Sequence, residues 1–231
     1  MNVAIIAAAG QGTRIGGKRA KQFQELGGIP VIIHTLRRFE RSASIADVVV
    51  VLPSSETSSF LALASRYELR KLARVVAGGS SRTESIWRGL QAVRAATAEI
   101  VAVHDGVRPF VSPEEIDRTV RAAEETGAAI LAAPATDTIK EVADGRITRT
   151  LERSRVWHAQ TPQCFRYDLL RRAYEKAIAA NLEATDDSAL VEQLGVAVSI
   201  VEGHARNIKI TRPEDIALAE ILLRDFEKSS Q

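Results

Sequence analysis

Val3-Ala-Ile-Ile-Ala-Ala-Ala-Gly-Gln-Gly-Thr-Arg14, followed by Lys21, is an uncharged apolar run that breaks into a glycine-rich loop and then meets two cations. Such a run predicts a strand buried on both faces of a parallel sheet, with a phosphate-binding loop at its carboxyl end. Ala8, Ala9, Gly10 and Gly12 keep side chains out of the way, so backbone N–H groups can approach a polyphosphate. Arg14 and Lys21 supply positive charge. The pattern suggests a protein that handles a nucleoside triphosphate.

Other readings of the loop fit less well. Gly10, Gly12 and Gly16 superficially resemble a dinucleotide fingerprint, but that motif places its third glycine at position 15, which is Ile15 here. The acidic residue expected after the second strand is not evident, because Val48 to Val51 run into Leu52-Pro53. A nucleotide-binding P-loop needs Gly-Lys-Ser/Thr at a fixed distance, and none occurs. The plain alternative is a tight turn with solvated cations beside it.

The whole chain bounds the answer. At 231 residues it has room for one large α/β domain, with or without an appendage, and for a core that needs no staples. Hydrophobic residues make up 45% and charged residues 26%, an ordinary soluble balance. The 31 basic and 29 acidic residues nearly cancel to +2, so a pI of 8.8 does not mark a nucleic-acid-binding surface. Cys164 is the only cysteine, which excludes an intramolecular disulfide and disfavours a cysteine-based zinc site. It suits a reducing cytoplasm and reads as a small buried thiol rather than a nucleophile. The start lacks a charged n-region, and 3–9 is too short for a secretory signal. No run reaches the ~18 apolar residues of a membrane helix. The expectation is a cytoplasmic protein without membrane or nucleic-acid partners.

Strand-like and helix-like segments alternate through the first half. Further buried strands are predicted over 47–52, 73–77, 99–104 and 128–133. Pro30 opens a first helix with Leu36 and Phe39 on its apolar face. The second spans 54–69 and the third 82–96. Ser112-Pro-Glu-Glu115 is a capping box with proline at the first helical position, starting a fourth. The result is an α/β, doubly wound, mostly parallel sheet with right-handed crossovers. The pattern changes near Pro134. Segments 138–142 and 146–150 around Asp144-Gly145 read as a hairpin too polar for a central strand pair. It is expected to project as an arm, either packed on a partner subunit or loose at the surface. A helix follows around 169–180, then a strand pair over 197–201 and 207–210. Thr211-Arg-Pro-Glu214 is expected to cap a last helix with Ile216, Leu218, Ala219 and Leu222 facing the core.

In open α/β sheets, ligands sit at the carboxyl ends of strands. The loop of 10–21 falls at one such end. Gly78-Gly-Ser-Ser-Arg82-Thr-Glu-Ser85 falls at another, where a helix N-terminus follows two glycines; its alternative is a helix cap with a solvated arginine. His104-Asp-Gly-Val-Arg-Pro109 falls at a third. Asp105 is suited to a ribose hydroxyl or a Mg²⁺ ion and Arg108 to a phosphate, or the two form an internal pair that fixes the loop. His104, with no second histidine nearby, and Trp157 read as structural. Lys209 stands out as a cation at a strand end before a helix cap.

Assembled in order, these residues closely resemble the 2-C-methyl-D-erythritol 4-phosphate cytidylyltransferase family of the non-mevalonate isoprenoid pathway. The resemblance spans nearly the whole chain. It runs through Ala8-Ala-Gly-Gln-Gly-Thr-Arg14, Lys21-Gln22, Gly78-Gly79 with Arg82 and Ser85, and His104 to Pro109. It continues through Asp137-Thr138, Arg153, Trp157-His158, Thr161-Pro-Gln163, Thr185-Asp186 and Asn207-Ile-Lys-Ile-Thr-Arg-Pro-Glu-Asp215. Two departures occur. Gly106 and Val107 stand where the family usually has two small residues, and Ala20 stands where it usually has a proline.

The resemblance implies a Rossmann-like nucleotidyltransferase sheet in one domain over 1–231, with a dimerisation arm at about 135–156. It implies attack by the 4-phosphate of the alditol on the α-phosphorus of CTP, with pyrophosphate leaving and Mg²⁺ bridging triphosphate oxygens. Arg14 and Lys21 would stabilise charge at the α-phosphate; Arg153 and Lys209 would position the attacking phosphate. Ala8, Ala9, Gly10, Gly12, Gly79, Arg82, Ser85, Asp105 and Gly106 would surround the nucleotide. Asp105, Arg108, Thr138, Thr161 and Thr185 would join Arg153 and Lys209 around the second substrate. Exchange of the arm between two subunits would let Thr138 and Arg153 complete the neighbour's site, making the protein a homodimer. Rivals are a cytidylyltransferase for another alditol phosphate such as ribitol 5-phosphate, a non-catalytic nucleotide-binding regulator, and a dinucleotide-dependent oxidoreductase, the last disfavoured by Ile15.

Overall fold

Val3–Ala7 forms β1 in the middle of the main sheet, parallel to β4 (Asp47–Leu52) on one side and β6 (Ile100–Asp105) on the other. The computed structural model describes residues 1–10 and 20–228, with the side chains of 226–228 left aside. Gly12, Arg14, Ile15 and Gly16 therefore lie outside the described residues. Among the described residues the main sheet has seven strands in the order β11-β7-β10-β6-β1-β4-β5. Here β5 is Leu72–Ala77, β7 Ala128–Pro134, β10 Trp157–Arg166 and β11 Ser199–Glu202. A short β2–β3 pair (Glu25–Leu26, Ile29–Pro30) precedes the first helix.

The charge-free strands are explained by helices on both faces. Ala4 and Ile6, Val48, Val50 and Leu52, and Ile100 and Ala102 face one layer. That layer contains α1 (Val31–Arg41), α2 (Thr57–Ala64) and α4 (Pro113–Thr126), which bring Leu36, Phe39, Phe60, Ile116 and Val120. Val3, Ile5, Val49, Val51, Val101 and Val103 point the other way. They meet Ile86, Leu170, Tyr174 and Leu190 of α3 (Arg82–Gln91), α5 (Tyr167–Ala179) and α6 (Asp187–Glu192). Successive strand residues alternate between faces, so a strand covered on both sides must be apolar throughout. Cys164 is wholly buried, and burial pushes its thiol pKa up, away from the reactive thiolate. No helix of the described residues is long and apolar enough to cross a membrane.

Several expected elements differ. The second helix is a 3-10 turn, Ser54–Glu56, followed by α2 ending at Ala64, and the third stops at Gln91. The second ends as the chain reaches the exposed Ser65 and Arg66; past the third, Val93 is still buried before the exposed Arg94 to Thr97. The ten-residue β10 was not expected as a strand; it runs antiparallel between β6 and β7. Its sequence is polar and holds Pro162, and pairing with β7 shifts register between Ala159 and Gln163, where a missing N–H is tolerated. The predicted pairing of 197–201 with 207–210 does not form: β11 pairs with β7 instead, and 207–210 is irregular. The Ser112 capping box forms as expected.

The last helix, α7 (Pro213–Lys228), begins after Arg212, and the Asp215 carboxylate reaches back to accept from Thr211 N, Thr211 Oγ1 and Arg212 N. Ile216, Ala219 and Leu222 pack on Leu26, Phe110 and Ile210, but Leu218 is 45% exposed. A helix stripe advances by three or four residues, and Leu218 falls off the stripe set by 216, 219 and 222. The hairpin forms as β8 (Lys140–Ala143) and β9 (Arg146–Thr150), which among the described residues pair only with each other and are exposed throughout.

Candidate active site

Three strand ends converge. Ala8 N donates to Val51 O, Gly106 N to Ala7 O and Gly78 N to Leu52 O, so the loops after β1, β6 and β5 are laced together. Gly106 is required by close approach: a Cβ there would lie 2.9 Å from Ala8 Cβ. The buried Gln22 side chain donates to Ala8 O at 2.8 Å and anchors the chain as it returns through Lys21. A cleft of about 450 Å³ opens over these loops, and Ala8, Ala9, Gly10, Lys21, Gly79, Arg82, Ser85, Asp105 and Lys209 all line it. A second cavity, of about 540 Å³, lies beside Phe23, Phe60 and Tyr67, and no candidate site residue lines it.

The Gly79 loop is held from the helix below. Ser81 caps α3 by accepting from Glu84 N, and Ser85 Oγ accepts from Gly79 N and donates to Ser81 O. Glu84 Oε2 accepts from both Ser80 N and Ser80 Oγ. These bonds from Ser80, joined by Arg88, pull the Glu84 carboxyl down to about 2. A Cβ on Gly79 would sit 2.2 Å from Glu84 Cδ, so only glycine leaves room for that clamp.

Charge gathers on Asp105. Its Oδ2 accepts from Arg108 Nε at 3.0 Å and lies 3.1 Å from Lys209 Nζ. Burial pushes this carboxyl up, but Lys209, Arg108 and Arg82 outweigh burial and hold it well below the usual carboxylate range. It is therefore ionised at neutral pH. Lys209 is kept in place by its neighbour, since Ile210 N donates to Val107 O. Its expected strand is absent; the loop is anchored by that bond and by Asn207, which receives Arg108 Nη1 on its backbone oxygen.

Behind Asp105 runs a buried chain of hydrogen bonds. Asp105 N donates to Thr161 Oγ1 at 3.1 Å, Thr161 Oγ1 lies 2.9 Å from His104 Nδ1, and His104 Nε2 lies 3.2 Å from Arg108 O. One assignment satisfies all three: the hydroxyl donates to a neutral imidazole, which donates from Nε2. Burial lowers the His104 pKa to about 4 despite the nearby Asp105 charge. The folded state thus resists protonating His104, so its contribution is full above about pH 6.5 and is lost as pH falls through about 4. Stability should decline over that window by on the order of 3 kcal/mol. Denaturant melts at each pH check this, and an unchanged slope in His104→Gln contradicts it.

The described candidate residues fall into three groups within one chain. The cleft group is given above. Gly106, Arg108 and Thr161 sit behind it and shape the Asp105 loop. Thr138, Arg153 and Thr185 are exposed and outside the cleft, with Arg153 Nη1 donating to Thr136 O at the base of the arm. Gln22 and Gln163 stand in the motifs that carry the resemblance and Asp187 directly follows Thr185-Asp186, but the sequence assigns none of the three a role, since an amide or carboxylate shows its function only through its partners.

A mostly parallel sheet with laced glycine loops and cations at its strand ends defines the class: this is an α/β nucleotidyltransferase. The family model described as IspD, 2-C-methyl-D-erythritol 4-phosphate cytidylyltransferase, matches residues 2–225. Proteins of that name from Syntrophotalea carbinolica and Bacillus licheniformis are each 45% identical to the chain; the alignments cover 95% and 98% of it and 94% and 97% of those proteins. The crystal structure of 4-diphosphocytidyl-2C-methyl-D-erythritol synthase from Anaerococcus prevotii superposes with a TM-score of 0.86 at 34% identity, covering 97% of this chain and 96% of that one. The chain belongs to the 2-C-methyl-D-erythritol 4-phosphate cytidylyltransferase family.

Proposed function

We propose that the cleft binds CTP and that the enzyme joins it to 2-C-methyl-D-erythritol 4-phosphate, giving 4-diphosphocytidyl-2-C-methyl-D-erythritol. An oxygen of the alditol phosphate attacks the α-phosphorus of CTP. The bond from that phosphorus to the bridging oxygen breaks, and pyrophosphate leaves with the electron pair. Two anions must meet, so the protein's task is positioning and charge stabilisation rather than covalent catalysis. The observation that carries this reading is the convergence of Lys21, Arg82 and Lys209 on one cleft, with Asp105 fixed between two cations.

Lys21, with Arg14, meets the charge at the α-phosphate. Ala8, Ala9, Gly10, Gly12, Gly79 and Ser85 present a small-residue surface to the nucleotide, and Gly106 lets the Asp105 loop close up behind Ala8. Lys209 and Arg153 hold the attacking phosphate, with Thr138 and Thr185 beside it, while Arg108 and Thr161 support this subsite from behind by holding the Asp105 loop. Among the described residues no cluster of three His, Cys, Asp or Glu is placed to cage a metal, and Asp105 is the one carboxylate lining the cleft. That donor set fits a divalent cation that the triphosphate would mainly hold, with Asp105 the protein carboxylate placed to join it. When bound, Mg²⁺ neutralises charge on the leaving pyrophosphate.

A second copy completes the site. The arm exposes Val142 and Ile147 (57% and 64%) and among the described residues pairs with no other strand, which supports a single domain whose arm packs on a partner. In this homodimer Thr138 and Arg153 reach the neighbour's cleft. The enzyme works in the cytoplasm, where CTP is available. Arg153→Ala should raise KM for the alditol phosphate about tenfold and leave KM for CTP unchanged. A rise confined to CTP contradicts the division of the two subsites. Mass spectrometry of the product tests the reaction: a cytidylyl diphosphate of the alditol supports it, and CMP with free alditol phosphate contradicts it.

A further inference from the structure

Beside the cleft, a buried ion pair ties two helix starts together. Arg82 is the first residue of α3 and Asp187 the first of α6. Arg82 Nη1 and Nη2 donate to Oδ1 and Oδ2 of Asp187 at 3.1 and 2.5 Å, a two-bond fork. The Tyr174 hydroxyl, from α5, donates to the same Oδ1. Gln163 Oε1 of β10 accepts from Asp187 N and Ser188 N, and Asp186 caps α6 through Ala189 N, so the backbone carrying Asp187 is pinned.

The two ends of the pair differ in exposure. The Asp187 side chain is wholly buried, whereas that of Arg82 is 29% exposed and lines the cleft. Burying a carboxylate is costly, and a buried ion pair adds little net stability over apolar packing of the same volume. What the pair does supply is geometry. An arginine side chain has several free torsions, and fixing them in advance removes an entropic cost of binding an anion. Burial alone lowers the Arg82 pKa, but the Asp187 charge and hydrogen bond outweigh it, so the guanidinium stays charged.

We propose that Asp187 and Tyr174 are positioning residues that fix the Arg82 guanidinium at the cleft wall before the nucleotide arrives. This rests on the assignment of the cleft to CTP. The test is calorimetric titration of CTP with Mg²⁺ into wild type, Asp187→Asn and Tyr174→Phe, with KM for the alditol phosphate and a thermal melt for each. Asp187→Asn should weaken CTP binding about tenfold and Tyr174→Phe about threefold, with KM for the alditol phosphate within about twofold of wild type. If Asp187→Asn does not fold, Tyr174→Phe decides, since it deletes one oxygen. Unchanged CTP affinity in the folded variants overturns the proposal. An equal rise in both constants also overturns it, because a generally loosened fold would do the same. Failure of wild type to bind CTP overturns the parent assignment and is seen without any variant.

Discussion

Lys209→Ala should lower kcat by about 10²- to 10³-fold while the protein remains folded. The side chain is 40% exposed, and its Nζ reaches over the cleft to Asp105 Oδ2 at 3.1 Å. A partly exposed ion pair adds little to stability, and the backbone bond from Ile210 N to Val107 O that anchors this loop survives the change. The loss therefore falls on charge stabilisation at the moment the attacking phosphate approaches the α-phosphorus. Single-turnover and steady-state pyrophosphate release, read beside a thermal melt, separate the two effects. Near-normal turnover in a folded variant contradicts the role given to Lys209.

The second large effect is expected at Asp105. Asp105→Asn keeps the shape but removes the anion that Arg108 and Lys209 share. The Arg108 side chain is only 12% exposed, so its charge is left in a poor environment with Asn207 O as a remaining partner. Breaking one side of a buried pair should cost about 3 kcal/mol of stability. With Lys209 untethered, kcat/KM should fall about 10²-fold. The Asp105 pKa is depressed in the fold, so its contribution is complete above the unfolded carboxyl value of about 4 and is lost as pH falls below it. The variant should lack that part of the acid sensitivity. Activity within about threefold of wild type would show that Asp105 does not organise the two cations.

The sequence made the parallel half of the sheet legible because its strands are buried on both faces. Val3–Ala7, Asp47–Leu52 and Ile100–Asp105 are apolar through their middles, and in the first and third the glycine or charged residue that ends the run marks the ligand side. The Asp144-Gly145 turn and the Ser112 capping box were equally plain, since local chemistry fixes both. β10 was hidden because its polar residues serve the site: Thr161 holds Asp105 and His104, and Gln163 holds the start of α6. A strand whose side chains are spent on hydrogen bonds loses the apolar signature of a strand. Lys209 was read as a strand end when a loop anchored by Ile210 places it. The Arg82–Asp187 pair was beyond the sequence: Arg82 stood out in the Gly78 to Ser85 cluster, but its partner lies 105 residues away and no local pattern joins the two.

The central claim is that this cleft transfers a cytidylyl group to one particular alditol phosphate. The most direct test is pyrophosphate release from CTP with Mg²⁺, comparing 2-C-methyl-D-erythritol 4-phosphate with ribitol 5-phosphate. Release with the methylerythritol phosphate and not with ribitol phosphate is the predicted result. Release with ribitol phosphate alone would keep the chemistry and overturn the substrate, and silence with both, while CTP still binds, would contradict the account as a whole.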